Sequence, residues 1–133
     1  MKNKLEEGIE ATSIEGDLEG LKELVSSDDF NGVDDLCVAV HHAFYNGHKD
    51  IVKYLYSNEL TVDKISDFSL LVEVAGDGDF DLVKFLCENE HTCDRLTFFD
   101  LAISRSLNNG HQDVYNYLRG IRMMKSNDEC YKS

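Results

Sequence analysis

Apolar residues return along this chain in four blocks of one design. In the second block Leu36, Val40, Ala43 and Phe44 stand at i, i+4, i+7 and i+8, which lines one face of a helix ending near Gly47. The third block uses Phe68, Leu71, Val72, Val74 and Ala75, and the fourth uses Phe99, Ile103, Ser106 and Leu107, with Ser106 its one polar member. In the first block the matching positions are Leu5, Ile9, Thr12 and Ser13, so only half of that face is apolar. A first helix is therefore expected before each of Gly16, Gly47, Gly78 and Gly110, which lie 31, 31 and 32 residues apart. A shorter second helix follows each glycine, marked by Gly20, Leu21 and Leu24, by Ile51, Val52 and Leu55, by Leu82, Val83 and Leu86, and by Val114, Tyr115 and Leu118. An apolar pair followed three residues on by leucine packs one stripe against the preceding helix.

The polar positions repeat as well. Lys22, Lys53 and Lys84 take the same place in the second helix, which must then face water. An acid stands three residues after each glycine (Glu19, Asp50, Asp81, Asp113), where a carboxylate complements the start of a helix. The glycine recurs because a tight turn between antiparallel helices asks for positive φ. Polar stretches, Ser26 to Asp35, Ser57 to Asp67 and Glu88 to Thr97, return the chain to the next helix pair. A fixed period in this range is the signature of a solenoid, whose units bury their apolar faces by stacking. The expected organisation is one domain over residues 1–125, with repeats at 3–33, 34–64, 65–96 and 97–125, and a frayed tail over 126–133.

The stretch Asn46-Gly47-His48-Lys49-Asp50-Ile51-Val52-Lys53-Tyr54-Leu55 resembles an ankyrin repeat, and the resemblance extends over residues 5–118 at nearly the family's period of about 33. His41 takes the histidine place of the family's Thr-Pro-Leu-His and Ala43 its first alanine; the other copies have Glu10, Val72 and Ser104 at the histidine place. His48 and His111 match the family's turn histidine, which implies a structural role. The chain has no proline, and the Gly-Ala-Asp-Val-Asn segment that closes a typical repeat is reduced to Leu60-Thr61-Val62-Asp63. The resemblance implies an all-α fold: a short, slightly curved, ankyrin-like solenoid of stacked helix-turn-helix repeats with little or no β-hairpin. Its first helices would line the concave face and its outer repeats would act as caps.

Charge narrows the choice of partner. The formal net charge is −13, and residues 1–118 hold 9 Lys/Arg against 24 Asp/Glu while residues 119–133 hold 4 against 2. Such a body repels nucleic acid and anionic membrane and is steered toward a basic protein surface. The N-terminal residues carry no apolar signal core and no run of eighteen apolar residues occurs, so no membrane association is expected and the cytoplasm is the expected compartment. Cys37, Cys87, Cys93 and Cys130 follow no paired spacing, in keeping with reduced thiols, and Cys37 and Cys87 are expected to be buried as small hydrophobes.

Candidate chemistry is sparse. Asp77, Asp79, Asp81 and Glu88 match four carboxylates of a calcium loop, but Leu82 replaces the turn glycine and the stretch reads as helix. Cys87, His91 and Cys93 lack a fourth zinc ligand in a recognisable spacing, and the adjacent His41 and His42 point to different faces. No catalytic triad order or phosphate-cradling loop occurs, so neither an enzyme nor a cofactor is expected. The family resemblance instead implies protein binding, with contacts at the residues before each turn glycine (Tyr45, Asn46, Gly76, Asp77, Asn108, Asn109) and at the start of the first helix (Asp34, Asp35, Cys37, Phe68, Phe98, Asp100). Tyr45 is the leading candidate, since an exposed aromatic offers contact area at low entropy cost. The expected role is a non-enzymatic interaction module binding through the concave face, similar to degenerate repeats of large viruses, phages and intracellular bacteria. Two alternatives stand beside it. One is an acidic inhibitor that mimics nucleic acid in a basic groove; the other is a self-assembling repeat, suggested by Met123 and Met124, where otherwise a monomer or weak oligomer is expected.

Overall fold

The computed structural model describes residues 4–65, 70–88 and 96–126. It is all-α: the described residues form eight α-helices and two 3-10 turns, with no strand among them. Contacts group the chain into two compact units, Met1–Asp67 and Phe68–Ser133.

The first unit holds α1 (Lys4–Glu15), α2 (Leu18–Val25), a 3-10 turn (Asp28–Gly32), α3 (Cys37–Tyr45), α4 (Lys49–Ser57) and a second 3-10 turn (Val62–Lys64). Helix α1 packs on α2 and α3, and α3 packs on α4. The half-polar face of α1 folds as helix because its buried hydroxyl is satisfied locally: Ser13 Oγ donates to Ile9 O at 2.8 Å. In α4 the expected stripe of Ile51, Val52 and Leu55 is buried, and Tyr56 joins it. In α2 the stripe shifts, burying Leu21 and Val25 while Leu24 is half-exposed.

The second unit holds α5 (Leu70–Asp77), α6 (Phe80–Glu88), α7 (Leu96–Asn108) and α8 (Gln112–Ser126). Helix α5 packs on α6 and α7, and α8 packs on α6 and α7. Leu82, Val83 and Leu86 of α6 are buried, as are Val114 and Leu118 of α8. The face of α7 differs from its sequence reading. Phe99, Ala102 and Ser106 are buried, Ile103 is half-buried, and Leu107 is 50% exposed. The i, i+3, i+7 row wins because Ala102 permits close approach where the longer Ile103 does not, and Ser106 Oγ closes on Ile103 O at 2.9 Å. Lys22, Lys53 and Lys84 all face water, as their recurrence predicts.

All four turn glycines have φ of 80–81°, the left-handed region. The turn is a Schellman-type stop: the residue after the glycine donates back five positions, as in Asp17 N to Thr12 O (2.9 Å), His48 N to Ala43 O (2.8 Å) and His111 N to Ser106 O (2.9 Å). Beyond this the turns alternate. In the first and third, an aspartate follows the glycine and accepts from the next helix, Asp17 from Gly20 N at 2.9 Å and Asp79 from Leu82 N at 3.2 Å. In the second and fourth, a histidine follows, and its Nε2 reaches back to the previous repeat: His48 to Ile14 O at 3.0 Å, His111 to Gly76 O at 3.1 Å. Helix starts are thus capped by Asp17 and Asp79 rather than by the acid two residues later. That later acid lies in the first turn of each second helix, and where histidine follows the glycine it binds an amide there, Asp50 at Ile51 N and Asp113 at Val114 N.

The connectors close without strands. Lys64 O accepts from Leu36 N at 2.9 Å, while Lys64 Nζ donates to Val33 O at 2.6 Å and lies 5.2 Å from the Phe30 ring centroid. Thr61 is buried, and its Oγ1 donates to Leu55 O at 2.6 Å, satisfying a carbonyl at the end of α4. On the same helix, burial pushes the Tyr54 phenol above its ordinary pKa.

Candidate binding face

Helix α3 is apolar on more than one side. Ala39, Val40 and Ala43 are buried, while Cys37, Val38, His41, His42 and Tyr45 line an open groove of about 360 Å3 in the first unit. These five stand at i, i+1, i+4, i+5 and i+8, one stripe of a helix. Val38 is 50% exposed and Tyr45 61% exposed. His41 Nδ1 lies 2.8 Å from Cys37 O, which fixes its ring, and Tyr45 packs at a tilt with ring centroids 6.0 Å from His41 and 5.7 Å from Phe44. The two histidines diverge: His42 Nε2 approaches Glu10 Oε1 of α1 at 3.9 Å. Cys37, expected in the core, is half-buried and borders the groove, because α3 begins there and Leu36 just before it takes the buried place; Cys87 is buried as expected.

The other candidates divide by what their side chains already do. Asp35 Oδ1, one residue ahead of the N-cap Leu36, accepts from Cys37 N at 2.8 Å at the start of α3; Asn46 Nδ2 donates to His42 O at 2.8 Å and closes its end. Asn109 Nδ2 donates to Gly76 O at 2.8 Å, and Asp100 Oδ1 accepts from Arg122 Nε at 2.9 Å. Each of these four is engaged within the fold, Asp35 and Asn46 at the ends of α3 and Asn109 and Asp100 across helices. Asp34, Asp77 and Asn108 are exposed. Phe68, His91, Cys93, Cys130 and the tail from 127 onward lie outside the described residues, as does the side chain of Phe98. Sequence reasoning did not count Val38, His41 and His42 among the contacts; the signal for Val38 was its position, opposite Leu36, Val40 and Ala43 on the wheel, which valine's apolar character masked.

A family model described as ankyrin repeats, in three copies, matches residues 9–94. The chain belongs to the ankyrin repeat family. Ankyrin repeats generally mediate protein–protein interaction and are generally not enzymes. The ankyrin match ends before α7, yet the α7–α8 pair keeps the same turn, with Gly110 at positive φ and His111 reaching back to α5. No curated protein and no solved structure gives a significant match. Among the described residues no helix is long and apolar enough to cross a membrane.

Proposed function

We propose that this protein is a non-enzymatic interaction module that binds a partner protein through its first helices and turn tips, with Tyr45 as the anchor. The observation that carries the reading is the outward stripe of α3, where Tyr45 is 61% exposed yet held by the neighbouring rings of His41 and Phe44. An aromatic already fixed in place loses little conformational freedom on binding, and such residues dominate interface energetics. Asp34 and Asp35, just before α3, give the stripe an acidic border that suits a basic partner surface. Affinity capture from the native host, compared with a Tyr45→Ala, Asp77→Ala variant, tests the assignment. Loss of a specific partner in the variant supports it, while full retention moves the contact to the outer helices.

A formal net charge of −13 favours a second reading, an acidic protein that occupies the nucleic-acid groove of its partner. Competition separates the two. A partner displaced by DNA or RNA, with binding that weakens steeply as salt rises, fits the mimic; indifference to both removes it.

A further inference from the structure

Stacking gives each helix pair a side that faces the next pair and a side that faces the one before. The positions seven and three residues before the turn glycine, and five and nine after it, report on the first of these sides. They hold Ile9, Ser13, Leu21 and Val25 in the α1–α2 pair and Leu71, Ala75, Val83 and Cys87 in the α5–α6 pair, and all are buried. Each of those pairs is followed by another in its own unit, α3 packing on α1 and α7 on α5. In the α7–α8 pair the same positions hold Ile103, Leu107, Tyr115 and Arg119. Here Ile103 and Tyr115 are half-buried, Leu107 is 50% exposed and Arg119 is exposed. The α1–α2 pair is open on its other side. Leu36, Leu55, Phe99 and Leu118 are buried in pairs that follow another, whereas their equivalents Leu5 and Leu24 are half-buried. Ala11 is exposed at the place from which His42 approaches Glu10 of α1 and Arg105 crowds Gly76 of α5. We propose that the open side of the α7–α8 pair receives the α1–α2 pair of a second copy of this chain, in a head-to-tail contact that repeats the stacking within each unit. The proposal goes beyond the protein-binding reading and does not use the outward stripe of α3.

Register and charge both select a second copy. The two open sides carry the same turn, the same helix order and the same spacing of apolar positions as the sides that already meet inside each unit, so the contact needs no new geometry. Their charges are opposite. Residues 4–25 hold two Lys/Arg against seven Asp/Glu, while residues 96–126 hold four against two. Glu7 and Glu23 are exposed on α1 and α2. On the facing side Arg119 stands where Val25 and Cys87 are buried, and its Nη1 donates to Tyr115 Oη at 3.3 Å, which lays the guanidinium stem beside the ring. An arginine at that place is matched by an acidic surface and repelled by a basic one. The net charge of −13 opposes association at long range, but that repulsion is screened beyond about 8 Å at physiological salt, which leaves the local contact to decide. Because the contact joins two different surfaces it is heterologous, and each copy keeps one open surface of each kind.

Analytical ultracentrifugation of the full chain at physiological salt tests the contact. The expected result is a mean mass that rises above the 15.1 kDa of one chain as concentration increases. Two variants separate the surfaces. Leu107→Glu with Arg119→Glu closes the α7–α8 side, and Leu5→Lys with Ala11→Lys closes the α1–α2 side; all four side chains are exposed or half-buried, so melting curves close to that of the unaltered chain are expected. Each variant alone should associate at least about ten-fold more weakly. An equal mixture of the two should recover association, beginning with a species of twice 15.1 kDa, because each variant keeps the surface that the other lacks. A monomer at every concentration overturns the proposal. So does association that both variants leave unchanged, which would place the contact elsewhere on the molecule. Failure of the folded variants to recover association on mixing overturns it as well, since a contact between two copies of one surface behaves in that way.

Discussion

Gly16 and Gly47 hold the same backbone conformation in different surroundings. A Cβ on Gly16 would fall 2.6 Å from the His48 ring, and one on Gly78 would overlap the ring of His111, whereas a Cβ on Gly47 or Gly110 meets nothing within 4 Å. Alanine at a φ near 80° costs about 1–2 kcal/mol at any of the four turns. At Gly16 and Gly78 it must also displace the imidazole and its bond to Ile14 O or Gly76 O, a further ~1 kcal/mol. Urea unfolding of the four Gly→Ala variants should therefore give two larger and two smaller losses, paired as 16 with 78 and 47 with 110. Four equal losses would mean that the rings swing aside without cost. The same residue-level view explains the candidate site. Asp35, Asn46, Asn109 and Asp100 are polar and partly exposed, as interface residues are, but their atoms are bonded at helix ends or across helices.

Between elements, Lys64 stands at the end of the second 3-10 turn, in keeping with the expected lack of a hairpin there. Lys64 joins both connectors of the first unit through its carbonyl, its ammonium and its approach to Phe30. A methionine there keeps the stem and removes the donor to Val33 O. Lys64→Met should lower stability by about 1 kcal/mol or more, since hydrogen bonds from charged groups exceed neutral ones. Lys84→Met, on the exposed side of α6, should change it by less than about 0.5 kcal/mol. Chemical denaturation measures both, and matching effects would remove Lys64 from its bracing role. Helix pairing itself was legible from periodicity, because a stripe of Ile51, Val52 and Leu55 can bury only against a neighbour. The face of α7 was not, since the choice between Ala102 and Ile103 depends on how closely α5 approaches.

For the whole molecule, the governing quantity is a charge of −13 on 133 residues. The ion pair of Arg122 with Asp100 is largely exposed on the acid's side. Self-repulsion among the remaining acids disfavours the compact state and is screened over about 8 Å at physiological salt. The thermal midpoint should rise by a few degrees from very low salt to physiological ionic strength, read by circular dichroism. A midpoint that falls or stays constant would show that favourable ion pairs outweigh the repulsion.

The sequence by itself determined the place of the four turn glycines, the helices on either side of them and the net charge. These are local or additive properties: positive φ selects glycine one residue at a time, a helical stripe is written within a dozen residues, and net charge is a count. Tertiary structure decided which side chains remain for binding. The bonds that occupy His48, Lys64, Asp100 and His111 join residues 22 to 35 apart in the chain, and no local pattern encodes such a partner. It also decided that α3 turns Val38 and Tyr45 outward, because the helix buries only the side that meets α1 and α4.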